Sequence, residues 1–283
     1  MLWLLVLGIF LAACSSGNET TGKEPDVHSE ETSVENKGNI KDPVVEEEEK
    51  EEAEPKQPIN DLEEIFRQME IAIQSVDSVT ITGQAAEKLS ISGTEIENSK
   101  EMVVNATFDP FVQHALFTDS TGGKTEWYAT EDTMYVNIND SGWEHSSHPL
   151  MREAAQFIHH KGSFERLIVY EEFFELTQDD HQYIITYNGP DEVYQEIFFG
   201  GEMEQYFMEM VREVSGITED IKMSGTVEMK VSKDTFLIEE QHSIQHASME
   251  NQGMIMETVQ EGTYSYVYNE VGGLEIPVEV RNP

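Results

Sequence analysis

The run EMVVNATFDPFVQHALFTD, residues 101–119, decides the fold. Two strand-like segments, Glu101 to Phe108 and Phe111 to Asp119, are separated only by Asp109-Pro110. A connection that short joins antiparallel neighbours, because parallel strands need a crossover of about a dozen residues or more. The same spacing continues outward. Ser78 to Gly83 and Lys88 to Ser92 precede the pair, and Thr125 to Ala129 and Thr133 to Ile138 follow it, the last two turning at Glu131-Asp132. These gaps predict a meander rather than βαβ units. Strands are expected again at Gln182 to Tyr187, Gly225 to Val231, Thr235 to Ala247, Met254 to Gln260 and Thr263 to Tyr268, with Leu274 to Val278 closing the series. Ser232-Lys233-Asp234 makes a hairpin turn.

Helical periodicity frames this sheet. After an N-cap at Asn60 with Glu63 three residues on, Leu62, Ile65, Phe66, Met69, Ile73 and Val76 form one apolar stripe that needs a sheet to pack on. The middle third predicts two short amphipathic helices, Pro149 to His160 and Ser163 to Leu176, joined at Lys161-Gly162, and a third from Glu202 to Val214. The expected class is α+β, mainly β: a curved antiparallel sheet covered by an N-terminal helix and a helical insertion.

The first thirteen residues are almost wholly apolar and end at Leu11-Ala12-Ala13-Cys14, a small-residue cleavage site before the only cysteine. Thirteen residues are too few to cross a hydrocarbon core of about 30 Å, so residues 1–13 are read as a lipoprotein signal peptide and Cys14 as its lipidated residue. Two acyl chains there would hold the protein stably on the outer face of a cell membrane. No Lys or Arg precedes the apolar run, which points to a start codon upstream of Met1. Residues 14–58 are read as an acidic tether: Glu46 to Glu54 is nearly continuous acid and Pro25, Pro43, Pro55 and Pro58 punctuate it. It would reach roughly 35 Å. With no second cysteine, the domain at 59–283 must be held by its core alone.

Of 56 acids and 17 bases, the tether accounts for 14 and 5, leaving the domain 42 acids against 12 bases. A surface of that sign repels nucleic acid and anionic headgroups, and suits a saline or alkaline medium.

Four features carry a family resemblance: the lipobox, the Asp140-Ser141-Gly142-Trp143 step before the insertion, the VSKDTFLIEE hairpin at 231–240, and the YNEVGGLEIPVEV tail at 268–280 with Ile276-Pro277. Together they resemble the LolA/LppX-like bacterial lipoproteins, most closely uncharacterised Bacillus-type lipoproteins of that superfamily. The resemblance implies an incomplete antiparallel barrel under helices, an apolar cavity for an acyl chain or lipidated cargo, and a Gram-positive cell surface.

The residues agree with such a cavity. A curved sheet roofed by short helices leaves a concave apolar face of the kind that accepts flexible ligands. Phe157, Phe174, Met210 and the alternating Tyr264, Tyr266 and Tyr268 are the candidate ligand-binding residues, with methionines at 203, 208, 210, 249, 254 and 256 supplying adaptable wall. The competing reading is a filled core. Gly123-Lys124-Thr125 ends like a phosphate loop, but Thr118 stands where the first glycine belongs. Asn137 to Gly142 is like the start of a calcium loop, but the twelfth position is His148. His145 and His148 share a loop and His159-His160 end a helix, while His242 and His246 share a strand about 13 Å apart, too far to chelate one ion. No catalytic residue, metal site or cofactor is expected, and neither Gly-x-Ser-x-Gly nor His-Glu-x-x-His occurs. The functions in order are lipid carrier or buffer, envelope sensor or accessory module, and enzyme.

Overall fold

A computed structural model describes residues 60–91, 93–146, 164–198, 221–251 and 254–281. The expected signal peptide, tether, Cys14, Phe157, Met210 and the helices at 149–160 and 202–214 lie outside them.

Helix α1 (Leu62–Gln74) opens the domain. Its cap is Asp61 rather than the expected Asn60: the carboxylate accepts from the backbone N–H groups of Glu63 and Glu64, at 3.1 and 3.4 Å. A full negative charge at a helix N-terminus also complements the dipole, which a neutral amide does not. The stripe Ile65, Phe66, Met69 and Ile73 is buried as its spacing predicts, each such side chain contributing about 1.5–3 kcal/mol relative to exposure.

The chain then forms β1 (Ser78–Ile91), β2 (Thr94–Phe108), β3 (Phe111–Asp119), β4 (Lys124–Thr130), β5 (Met134–Ile138) and the two-residue β6 (Glu144–His145). A short helix α2 (Glu165–Val169) and a 3-10 turn (Glu171–Phe173) lead to β7 (Phe174–Gln178), β8 (Gln182–Tyr187) and helix α3 (Asp191–Phe198). The last strands are β9 (Lys222–Ser232), β10 (Ile238–Asn251) and β11 (Met254–Tyr268), followed by the helical turn α4 (Val278–Arg281). All eleven strands belong to one open antiparallel sheet, ordered β6-β5-β4-β3-β2-β1-β11-β10-β9-β8-β7. Two meanders are thus joined where β1 pairs with β11. The sheet curves as an incomplete barrel, with β6 and β7 as its edges.

Four local expectations are corrected. The segments 78–83 and 88–92 are one strand, as are 254–260 and 263–268; Gly83 and Gly262 remain in the ladder, and the long β1–β11 register carries across both. The helix expected over 163–176 stops at Val169, and Phe174 to Gln178 pair with β8. Their tertiary partner outweighs a helical spacing only two turns long. The tail at 274–278 is not a strand. Pro277, which has no N–H for a ladder, instead accepts from Val280 and Arg281 at the start of α4. Helix α3, for which no helix was expected, begins just after Pro190 with Asp191 and Glu192 in its first turn, a favourable start.

The main core gathers residues from β1 to β5, β7 to β11 and helices α1 to α3 into one cluster. A smaller one joins Ile276 and Val280 of the tail to Val112, with Tyr128, Tyr135 and Trp143 against it. The Asn137–Gly142 loop is a polar turn with left-handed backbone at Asn139 and Asp140. The Lys124 ammonium bonds Asp140 at 3.0 Å there.

Candidate ligand site on the inner face

Strand alternation puts Val79, Ile81, Gly83, Ala85 and Glu87 of β1 on the buried face, and Tyr264 and Tyr266 of β11 beside them. Tyr264, Tyr266 and Tyr268 do share one side of their strand, and each has a structural reason for its place. The Tyr264 ring lies flat across Gly83 and Gly262: a Cβ on Gly83 would come 2.4 Å from its Cδ1, and one on Gly262 would come 2.3 Å from its hydroxyl oxygen. Only glycine fits at either position. Tyr266 donates its hydroxyl to Gln241 Oε1 at 3.3 Å, and Tyr268 donates to the Ile238 carbonyl at 2.8 Å. Burial pushes all three phenols well above the ordinary tyrosine value, so they remain neutral donors.

Phe174 lies in the core at the β7 edge rather than on a helical lid. Its ring meets Phe66 of α1 edge-on at 5.4 Å and Tyr187 of β8 at 5.3 Å. Next to it stand Tyr187, Tyr194 and Phe198, with the Tyr194 and Phe198 centroids 4.7 Å apart. Tyr194 fits over Gly225 of β9, where a Cβ would come 2.9 Å from its ring and hydroxyl. Burial, helped by Asp191 and Glu192, pushes the Tyr187 phenol up to about 12; it donates to the Pro190 carbonyl at 2.7 Å.

Beyond Tyr264 the inner face changes character. Gln241, Ser243 and Gln245 of β10, Thr258 and Gln260 of β11 and Glu87 of β1 are all buried. Register makes them one patch: Gln245 is opposite Gln260, which is opposite Glu87, and Ser243 is opposite Gly262. Glu87 is closed by Lys100 of β2 at 2.5 Å, with both side chains largely buried. The Gln245 side chain bonds the Tyr194 phenol, whereas Ser243 Oγ and Gln260 Oε1 have no hydrogen-bond partner among the described residues. The same holds, on β3 and β4, for both polar atoms of Gln113 and for Trp127 Nε1. An unpartnered buried polar group costs about 1–3 kcal/mol.

Sequence reasoning named the tyrosines and missed the glutamines. The usable signal was the alternation Gln241, Ser243, Gln245, opposite in phase to His242, Ile244 and His246. A register shift between Ile238 and Glu240 separates Ile238, which is buried, from His242 and His246, which are not. His242 instead faces Glu261 at 3.7 Å and Thr263 at 3.3 Å.

Residues 61–283 match a family described as "Family of unknown function (DUF6612)". No curated protein matches the chain. Among solved structures, the chain is similar to the Mycobacterium tuberculosis lipoprotein LppX at 12% identity and a TM-score of 0.37, covering 76% of this chain and 98% of that one. It is also similar to a DUF1329 family protein from Desulfovibrio piger at 11% identity and 0.26, covering 76% and 95%. A LolA superfamily protein from Nitrosomonas europaea gives 8% and 0.26, covering 75% and 94%. LppX and the LolA superfamily are the group that the lipobox, the Asp140–Trp143 step, the hairpin and the tail resemble; at such identities the likeness concerns the fold alone.

Proposed function

The chain belongs to this DUF6612 family of unknown function, and we propose that it is a membrane-anchored extracytoplasmic lipoprotein that binds a lipid or other apolar ligand on the inner face of its open sheet. The observation that carries this is the buried set of unpartnered polar atoms on a face otherwise lined by aromatic and aliphatic side chains. A filled core pairs its polar groups, whereas an amphiphile site holds some in reserve for the ligand. The role is binding rather than catalysis.

In this reading residues 1–13 are removed, Cys14 carries the lipid that makes the membrane its partner, and residues 14–58 hold the domain away from the outer face of a Gram-positive cell membrane. Phe157, between β6 and α2 in the chain, and Met210, between α3 and β9, act as ligand contacts, with Tyr264, Tyr266 and Tyr268 forming the floor. Phe174 supports that floor from the core.

The full chain, purified in detergent and delipidated, is incubated with a bacterial lipid extract and weighed by native mass spectrometry. Reproducible retained lipid is the expected result. A clean unloaded mass, together with a cross-linked envelope protein, would replace this reading with that of a sensor or accessory module whose core is filled.

A further inference from the structure

At the far end of the inner face the sheet becomes apolar again, and we propose that residues 202–214 of this same chain cover that end as a helix. The proposal goes beyond the ligand-binding reading and stands whether or not the inner face holds a ligand. Past the row of Gln245, Gln260 and Glu87, the register continues through Met223, Ala247, Thr258, Leu89 and Ile96, on β9, β10, β11, β1 and β2 in turn. The row after it holds Met249, Met256 and Ile91. Alternation along each strand keeps both rows on the side of Tyr264. Cover fades along the first of them: Met223 is buried, Leu89 is half-buried and Ile96 is 53% exposed. A continuous apolar surface of this kind calls for something to lie on it.

The points where the chain leaves and re-enters name the occupant. Helix α3 ends at Phe198, whose ring packs on Tyr194, and Tyr194 lies over Gly225 of β9, one inner-face row from Met223. The chain returns at Ile221, buried immediately before β9. Both ends of residues 199–220 are therefore held beside the Met223 end of the apolar row. The connection at 147–163 starts elsewhere. Ser146 donates to the carbonyl of Met134, whose row runs through Ala129, Gln113 and Ala106 to Val79. Val79 stands ten positions before Leu89 on β1, about 33 Å away.

The intervening sequence fits the row in pattern and in length. Between Gly200-Gly201 and Ser215-Gly216, the residues Met203, Tyr206, Phe207, Met210, Val211 and Val214 fall three and four apart, with Gln205, Glu209 and Arg212 on the opposite side. A helix over 202–214 would be about 20 Å long. Met223 and Ile96 lie four strand spacings apart, about 19 Å. The stretch from Val214 back to Ile221 reaches up to about 24 Å when extended, enough for the return. Methionines on both surfaces let the two adjust to one another.

The test puts p-benzoylphenylalanine in place of Ile96 in the full chain, irradiates it in dilute detergent solution and maps the cross-linked peptides by mass spectrometry. Capture within residues 202–214 of the same molecule is the expected result. A control with the probe in place of Ile255, equally exposed at 53% but on the outer side of β11, should capture that segment at least about tenfold less. Phe207→Asp should reduce the capture from position 96 by about tenfold, since a carboxylate resists burial where a phenyl ring favours it. Should that variant fail to fold, the comparison of positions 96 and 255 in the otherwise unaltered chain decides. Capture of residues 147–163, of a second copy, or of a co-purified lipid or protein overturns the proposal. So does equal capture from the two positions, no capture at all, or capture that a folded Phe207→Asp variant leaves unchanged. Ligand retention is read separately by native mass, so either reading can fail without the other.

Discussion

Gly225→Ala is the sharpest test of how the strands and α3 are fitted together. A methyl group at this position would lie 2.3 Å from the carbonyl oxygen of Ile244 and 2.9 Å from the ring and hydroxyl of Tyr194. Ile244 belongs to the strand paired with Gly225, so its carbonyl cannot turn aside without disturbing the ladder. Tyr194, fully buried, has no free volume to retreat into. Overpacking of this kind costs about 1–3 kcal/mol, offset by about 0.4–1 kcal/mol because alanine restricts the unfolded chain. The net loss of about 1–2 kcal/mol lowers Tm by roughly 2–8 °C in a domain of this size. Thermal unfolding followed by tryptophan fluorescence would measure it, since Trp127 is buried. Gly272→Ala is the control: nothing lies within 4 Å of its added methyl, and its Tm should be unchanged or slightly higher. If Gly225→Ala melts with the parent protein, the fit of Tyr194 over the strand is not what the contacts imply.

Phe174→Ala is expected to cost about 3–5 kcal/mol, as large aromatic deletions in a core do, because the ring is held between Phe66 and Tyr187; a loss under about 1 kcal/mol in urea melts would place it at a mobile lid after all. Gln113→Leu should leave stability unchanged or raise it, since the fully buried amide has no partner to lose among the described residues; a fall in Tm beyond about 4 °C would reveal a bond that the native structure depends on. Acid should weaken the fold through Asp119 and Glu126. Burial pushes the Asp119 carboxyl up, but hydrogen bonds from Thr121 and Gly123 outweigh it, and His114 and Lys124 do the same for Glu126, so both fall below their ordinary values. A depressed folded-state value means stability that is present above the unfolded value of about 4 and lost as pH falls below it. Asp119→Asn should therefore flatten the loss of Tm between about pH 4 and 2, and an unaltered slope would remove Asp119 from the account.

Much of the architecture was legible because it is local. The stripe Ile65, Phe66, Met69, Ile73 has only one period, and the Asp109-Pro110 turn allows only one kind of neighbour. Most strand positions followed from alternation in the same way, and so did the shared face of the three tyrosines. The errors lie where a residue's state depends on what it touches. Phe174 to Gln178 has helical spacing, yet strand β8 offers it a ladder, and Pro277 ends in a turn because a ladder has no use for it.

The amino-acid sequence alone determined the succession of elements, the acidic charge and the alternation that places Gln241, Ser243 and Gln245 on one side of a strand, since each depends on neighbours a few residues away. Only the tertiary structure decided that this side faces inward, and that Gly83 and Gly262 continue strands which the sequence reading broke at both. The reason is one ring: Tyr264 fills the space over both glycines at once, and Gly83 lies 181 positions before it in the chain, a distance that no local pattern records.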